Sequence, residues 1–208
     1  LYRLKLDGVS KGDTDRTSYT VNNLSEGSHT FEVASFDSAG NISAFGSHTV
    51  TIDVTPPSVP SFTSHPSSPS IDTTPYWTWN VPTGATHFAY RQSINDGSTY
   101  GEWSGWFTDT SYSPTLTENA TYKIQIKCKD SVGNESDVAT SDSFVLDTIA
   151  PTAPIFTSQP STPSNDTTPT WEWSESSDIT QVQYRYSIWK NGSQLGSWSN
   201  WANLISYT

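Results

Sequence analysis

The sequence predicts an all-β fold, organised as tandem antiparallel β-sandwich modules of about seven short strands each. Three observations carry this prediction. The stretch Phe36-Asp-Ser-Ala-Gly-Asn-Ile-Ser43 returns as Lys129-Asp-Ser-Val-Gly-Asn-Glu-Ser136, so the chain repeats itself with a period of about 94 residues. Apolar and polar residues alternate in short runs such as Pro75-Tyr-Trp-Thr-Trp-Asn80, which suits half-buried strands. No run shows helical periodicity, and Gly, Pro, Asn and Asp punctuate the alternating segments.

Self-comparison divides the chain into residues 1–54, the C-terminal part of a repeat; 55–147, a complete repeat; and 148–208, the N-terminal part of a third. Trp77 and Trp79 match Trp171 and Trp173, Asp72-Thr-Thr-Pro75 matches Asp166-Thr-Thr-Pro169, and Tyr90-Arg91 is matched to Tyr184-Arg185 and to Tyr2-Arg3. In the complete copy, Pro56 to Pro69 reads as a junction followed by an edge strand, where proline is tolerated. The Trp77/Trp79 strand follows, with both indoles on one face. Thr86 to Ile94 alternates again. Asn95-Asp-Gly97, with Asp7-Gly8 and Asn191-Gly192 as its counterparts, signals a tight hairpin built on positive φ. Trp103 to Phe107 is the returning strand, and Tyr112, Tyr122 to Cys128 and Phe144 to Leu146 supply the rest. Removing Trp79 is expected to be severe for its module, because a buried aromatic is worth up to about 3 kcal/mol. The partial copies are expected to leave an open edge and an apolar face. Either a longer chain or a neighbouring chain would complete them, the latter by donor-strand complementation.

Composition narrows the functional classes. Ten Lys plus Arg against 21 Asp plus Glu give a net charge of -11, which disfavours nucleic acid and anionic membranes as partners. No apolar run approaches the length that crosses a bilayer, so membrane insertion is not expected of this segment. One cysteine, Cys128, precludes a disulfide within the chain and reads as a small strand residue. The histidines His29, His48, His65 and His87 are scattered and do not recur between copies. With no nucleophile–base motif and no phosphate loop, the chain reads as non-enzymatic.

The Trp-x-Trp strand, the Tyr-Arg strand, the Asp-Ser-x-Gly-Asn turn and the Asp-x-x-x-Pro junction resemble bacterial Ig-like repeats, with a fibronectin type III-like aspect. The resemblance implies a tandem array in a large extracellular or cell-surface protein, such as an adhesin.

Two groups of residues are candidate sites. Asp37, Asn41 and Asp53, and likewise Asp130, Asn134 and Asp147, offer carboxylate and amide oxygens of the kind calcium takes; clustering at the module junctions would make calcium the one candidate cofactor. Against this stands a local role, in which Gly40 and Gly133 supply positive φ while Asp and Asn satisfy the turn backbone. The pairs Trp103/Trp106 and Trp198/Trp201 offer aromatic faces to a glycan or host receptor, although a spacing of three places the members of each pair on opposite faces of a regular strand. Arg3, Arg91 and Arg185 are expected in exposed ion pairs or stacked on the neighbouring tyrosines, and Lys123, Lys127 and Lys129 in solvent. The functional expectation is a stalk, adhesin shaft or fibre segment whose partners are neighbouring repeats or copies of itself, joined head to tail. The alternatives are a carbohydrate- or receptor-binding module and a spacer in a secreted multidomain enzyme.

Overall fold

The computed structural model describes residues 1–207 and is all-β; Thr208, assigned above to the partial third copy, lies outside the described residues. The first copy is one antiparallel sheet of β1 (Tyr2–Leu6), β2 (Val9–Thr14), β3 (Gly27–Ser35) and β4 (Gly46–Ile52), in the order β2-β1-β3-β4. The complete copy holds β5 (Phe62–Ser64), β6 (Trp77–Trp79), β7 (His87–Ser93), β8 (Ser111–Tyr112), β9 (Thr121–Lys129), β10 (Ala139–Thr140) and β11 (Phe144–Val145). The third holds β12 (Phe156–Ser158), β13 (Trp171–Trp173), the hairpin β14 (Ile188–Lys190) and β15 (Ser193–Leu195), and β16 (Ser206–Tyr207).

In the complete copy β5-β6-β8 form one sheet. Opposite it, β9 pairs with β7 on one side and with β10 and β11, two pieces of one lane, on the other. The returning segment 101–107 adds to the free edge of β7 through the reciprocal Phe88–Phe107 bonds of 2.8 and 3.0 Å. Ser70 crosses over to run parallel to the last lane at Leu146, tying the opening segment to the second sheet. This two-sheet topology, with its first segment shared between sheets, is that of an Ig-like sandwich.

Alternation explains the core. On β9, Tyr122, Ile124, Ile126 and Cys128 are buried at 2% exposure or less, while Lys123, Gln125, Lys127 and Lys129 face outward. Trp77 and Trp79 lie on the same inner face and are 1% and 3% exposed. Trp77 meets Phe144 edge-on at 5.7 Å; Trp79 meets Phe62, Phe88 and Phe107 at 6.4, 5.9 and 6.1 Å. Burial pushes the Cys128 thiol up, which leaves it an inert core residue.

The tight turns form where the Asp-Gly and Asn-Gly pairs stand: φ is +53° and +76° at Asp7-Gly8, +54° and +84° at Asp96-Gly97, and +49° and +79° at Asn191-Gly192. The sequence register of the third copy is corrected by two residues. Tyr90 stacks on Tyr112 at 3.9 Å and Tyr186 on Tyr207 at 4.1 Å, while Phe88 and Tyr184 make the equivalent bridges to Phe107 and Ala202. Tyr186, not Tyr184, is therefore the counterpart of Tyr90. A shift of two preserves strand parity, so the repeat pattern in the sequence hides it.

The outer copies present apolar faces that the complete copy buries. Tyr19 lies flat on Phe31 at 5.9 Å and covers part of the first. In the third, Phe156, Trp171, Trp173, Tyr186 and Tyr207 line an open groove of about 270 Å³.

Candidate functional site

The Asp-Ser-x-Gly-Asn turn is built around its aspartate. Asp130 Oδ1 accepts the backbone N–H groups of Val132, Gly133 and Asn134 at 3.0, 2.7 and 2.9 Å, and Oδ2 accepts the Asn134 side-chain amide at 2.8 Å. Gly133 is needed for its φ of +107°. Asp37 repeats the pattern with Ala39 and Asn41. Burial pushes the Asp130 carboxyl up, but the Asn134 amide and the three backbone donors outweigh it and hold the group below the ordinary carboxylate range.

The expected calcium groupings do not form. In an antiparallel hairpin the turn and the end of the second strand lie at opposite ends. Gly27 pairs with Ile52, so the nine residues of β3 separate Asp37 from Asp53 by about 30 Å. Asp130 and Asp147 are separated in the same way, since Leu146 bonds to Ala120 before the start of β9. The structure instead brings Asp53 to the next copy's turn: Asn134 Nδ2 lies 3.1 Å from the Asp53 carbonyl and 3.4 Å from its Oδ1. Asp147 accepts the Thr180 hydroxyl of the third copy at 2.9 Å. These oxygens face N–H and O–H donors, and among the described residues no three His, Cys, Asp or Glu side chains converge as a metal-binding group. Calcium takes six to eight converging oxygens; the contacts that Asp53 and Asp147 make across the junctions are hydrogen bonds to the Asn134 amide and the Thr180 hydroxyl.

The tryptophan pairs are also rearranged. Trp103 and Trp106 lie on one outer face, against the expectation of opposite faces. The cause is a bulge: Ser104 N donates to the Tyr90 carbonyl at 2.7 Å, while Tyr90 N donates to Ser104 Oγ at 3.0 Å in place of a backbone carbonyl. The extra residue resets strand parity. Ser199 and Tyr186 repeat the device in the third copy, and Ser43, Ser136 and Ser141 likewise accept a strand N–H on their hydroxyls. A serine within an alternating run was the sequence signal, too common to be specific.

Cations fill the spaces between these rings. The Arg91 guanidinium sits 5.1 Å from the centre of Tyr100 and 4.7 Å from Trp103. Lys127 Nζ lies between Trp103 and Trp106 at 4.8 and 5.3 Å, and Lys129 Nζ lies 4.5 Å from Trp106. The result is a ladder of alternating cation and indole across the sheet. In the third copy Arg185 stands 4.9 Å from Trp198 and 4.6 Å from Trp201. The expectation of solvated lysines is thereby corrected for Lys127, whose side chain is 18% exposed and pairs with Glu135 at 2.6 Å. The arginines stack chiefly on tryptophans in the second and third copies, and Arg3 forms a two-bond pair with Asp13 at 3.0 Å. In the second copy cations stand against both Trp103 and Trp106; in the third, Arg185 alone serves Trp198 and Trp201, which stay 49% and 56% exposed.

One titratable pair stands apart. His29 Nδ1 lies 2.8 Å from Asp7 Oδ2 and Nε2 lies 2.9 Å from the Ser25 carbonyl, so both ring nitrogens face acceptors, which fits the imidazolium. Asp7 and the Ser25 carbonyl raise the His29 pKa; His29 and the Thr30 N–H lower that of Asp7. The His29 contribution is full below about pH 6.5 and fades as pH rises through its raised folded value; that of Asp7 is present above about pH 4 and fades as pH falls through its lowered one. An NMR titration of the His29 ring is expected to show a midpoint above that of a free histidine, returning toward it in Asp7→Asn. An unshifted midpoint in the unaltered chain contradicts the pair.

No family model matches the chain. It is 30% identical over 228 aligned positions to exoglucanase B of Cellulomonas fimi; the match takes in 97% of this chain but spans only 19% of that protein. Among solved structures it is similar to titin domains (14% identity, 70% of this chain and 53% of that one, TM-score 0.44). It is also similar to the PKD domain of an M14-like peptidase from a Thermoplasmatales archaeon (23% identity, 45% and 98%, TM-score 0.34).

Proposed function

We propose that the chain is a rod-like spacer of tandem Ig-like modules in an extracellular multidomain protein, without catalytic chemistry of its own. The observation that carries this reading is that consecutive copies are bonded to one another directly, Asn134 to Asp53 at 3.1 Å and Thr180 to Asp147 at 2.9 Å, beside proline-bearing junctions. Proline fixes φ, and a short stiff junction between self-contained sandwiches turns a string of modules into a rod. The likeness to an exoglucanase favours a spacer between the domains of a secreted enzyme over an adhesin shaft or fibre. The ladder favours a structural role for the tryptophans over glycan or receptor binding.

Other copies of the repeat are the partners whose chemistry fits the open outer faces. Phe31 and Val33 on β3 hold the positions that Ile124 and Ile126 hold on β9, and Trp171 and Trp173 hold those of Trp77 and Trp79. Such copies can belong to the same polypeptide or to a second one.

Small-angle scattering tests the spacer reading. The chain is expected to scatter as an elongated particle one module wide. A compact globular profile, or one that requires a broad ensemble of inter-module angles, overturns it.

A further inference from the structure

The recurring turn has one hydrogen-bond donor more than its own fold consumes. Asn134 Nδ2 carries two hydrogens. One goes to Asp130 Oδ2 at 2.8 Å within the turn, and the same nitrogen lies 3.1 Å from the Asp53 carbonyl, 81 residues away in the preceding copy. Asn41 makes the same inner bond to Asp37 Oδ2 at 2.8 Å. No second acceptor for its amide is found among the described residues. The junction side is prepared too. Asp53 Oδ1 caps the N–H of Thr55 at 3.1 Å, and the Thr55 hydroxyl donates to Glu26, so the segment carrying the Asp53 carbonyl is held from its own module. Asp147 repeats that cap on Ile149 at 3.1 Å.

We infer that the Asp-Ser-x-Gly-Asn turn is an inter-module docking element, whose asparagine amide recognises the carbonyl of the aspartate in an Asp-x-x-x-Pro junction of the preceding module. Its ligand is a peptide segment of the repeat itself. The aspartate sets the turn and aims the asparagine; the asparagine reads the neighbour. This accounts for the return of both residues together with the junction aspartate, a pattern that turn formation alone explains only for the turn. The inference rests on the spacer reading and names the contact that makes the rod stiff.

Double electron–electron resonance between nitroxides at Ser28→Cys and Asp109→Cys, exposed positions in the first and second copies, tests it in the whole chain, in which Cys128 is buried. The unaltered junction is expected to give one narrow distance peak. Asn134→Ala is expected to broaden it, whereas Asn41→Ala, which removes the same inner bond from the first turn, is expected to leave it narrow. A narrow peak unchanged by Asn134→Ala overturns the docking role and leaves the rod intact; a broad peak in the unaltered chain overturns both. Side-chain amide exchange by NMR gives an answer without substitution. Both Asn134 amide protons are expected to exchange more slowly than the outer proton of Asn41, and equal rates overturn the inference.

Discussion

Trp79→Ala is expected to destabilise the complete module by about 3–5 kcal/mol, the range for removing a fully buried large aromatic. Trp79 is 3% exposed and touches three aromatic rings drawn from both sheets, so the cavity opens between the layers, where neither sheet can close it alone. Its indole N–H has no hydrogen-bond partner in the described structure. Trp79→Phe, which removes that orphan donor along with part of the ring, is therefore expected to cost much less. The counterpart Trp173 is only half-buried, and Trp173→Ala is expected to cost less than Trp79→Ala. Urea unfolding of the chain and the three variants measures these differences. A loss under about 1 kcal/mol for Trp79→Ala would contradict a core sealed by tryptophan.

Lys127→Glu is expected to be the most damaging substitution on the outer face, at about 2–3 kcal/mol, because the ammonium is desolvated between two indole faces. A carboxylate there meets the electron-rich faces of Trp103 and Trp106 and stands beside Glu135, which the lysine now neutralises at 2.6 Å. The rings would be driven apart and the edge segment 101–107 loosened from β7. Lys127→Met keeps the packed stem without the charge and is expected to cost well under half as much. Denaturant unfolding, with near-UV circular dichroism reporting the tryptophans, separates the two. Equal losses would mean that packing, not cation–indole attraction, holds the ladder.

The two substitutions mark the limit of what could be read in advance. Trp77 and Trp79 were legible as core because they sit two apart in a strand that alternates. Local sterics fix that period wherever the strand runs. The Asp-Gly and Asn-Gly turns were legible for the same reason, since positive φ is a property of the residues themselves. The placement of Trp103 and Trp106 was not. One bulge at Ser104 reverses the parity of everything beyond it, and a serine in an alternating run is too common a signal to mark the place. Lys127 read as solvated because its strand neighbours alternate correctly; the rings that enclose it arrive from another lane.

The calcium groupings failed on a simpler point. Asp37 and Asp53, like Asp130 and Asp147, are close in sequence but stand at opposite ends of an antiparallel hairpin; Asp53 meets the recurring turn of the next copy, and Asp147 meets Thr180 of the third. The sequence by itself determined the repeat, the all-β class, the tight turns and the inner face of the sandwich, all of which follow from neighbours along the chain. Only the tertiary structure decided which cation lies between which rings and which turn meets which junction. Those contacts join residues that share a surface without sharing a sequence neighbourhood, and a single shift in strand parity is enough to reassign them.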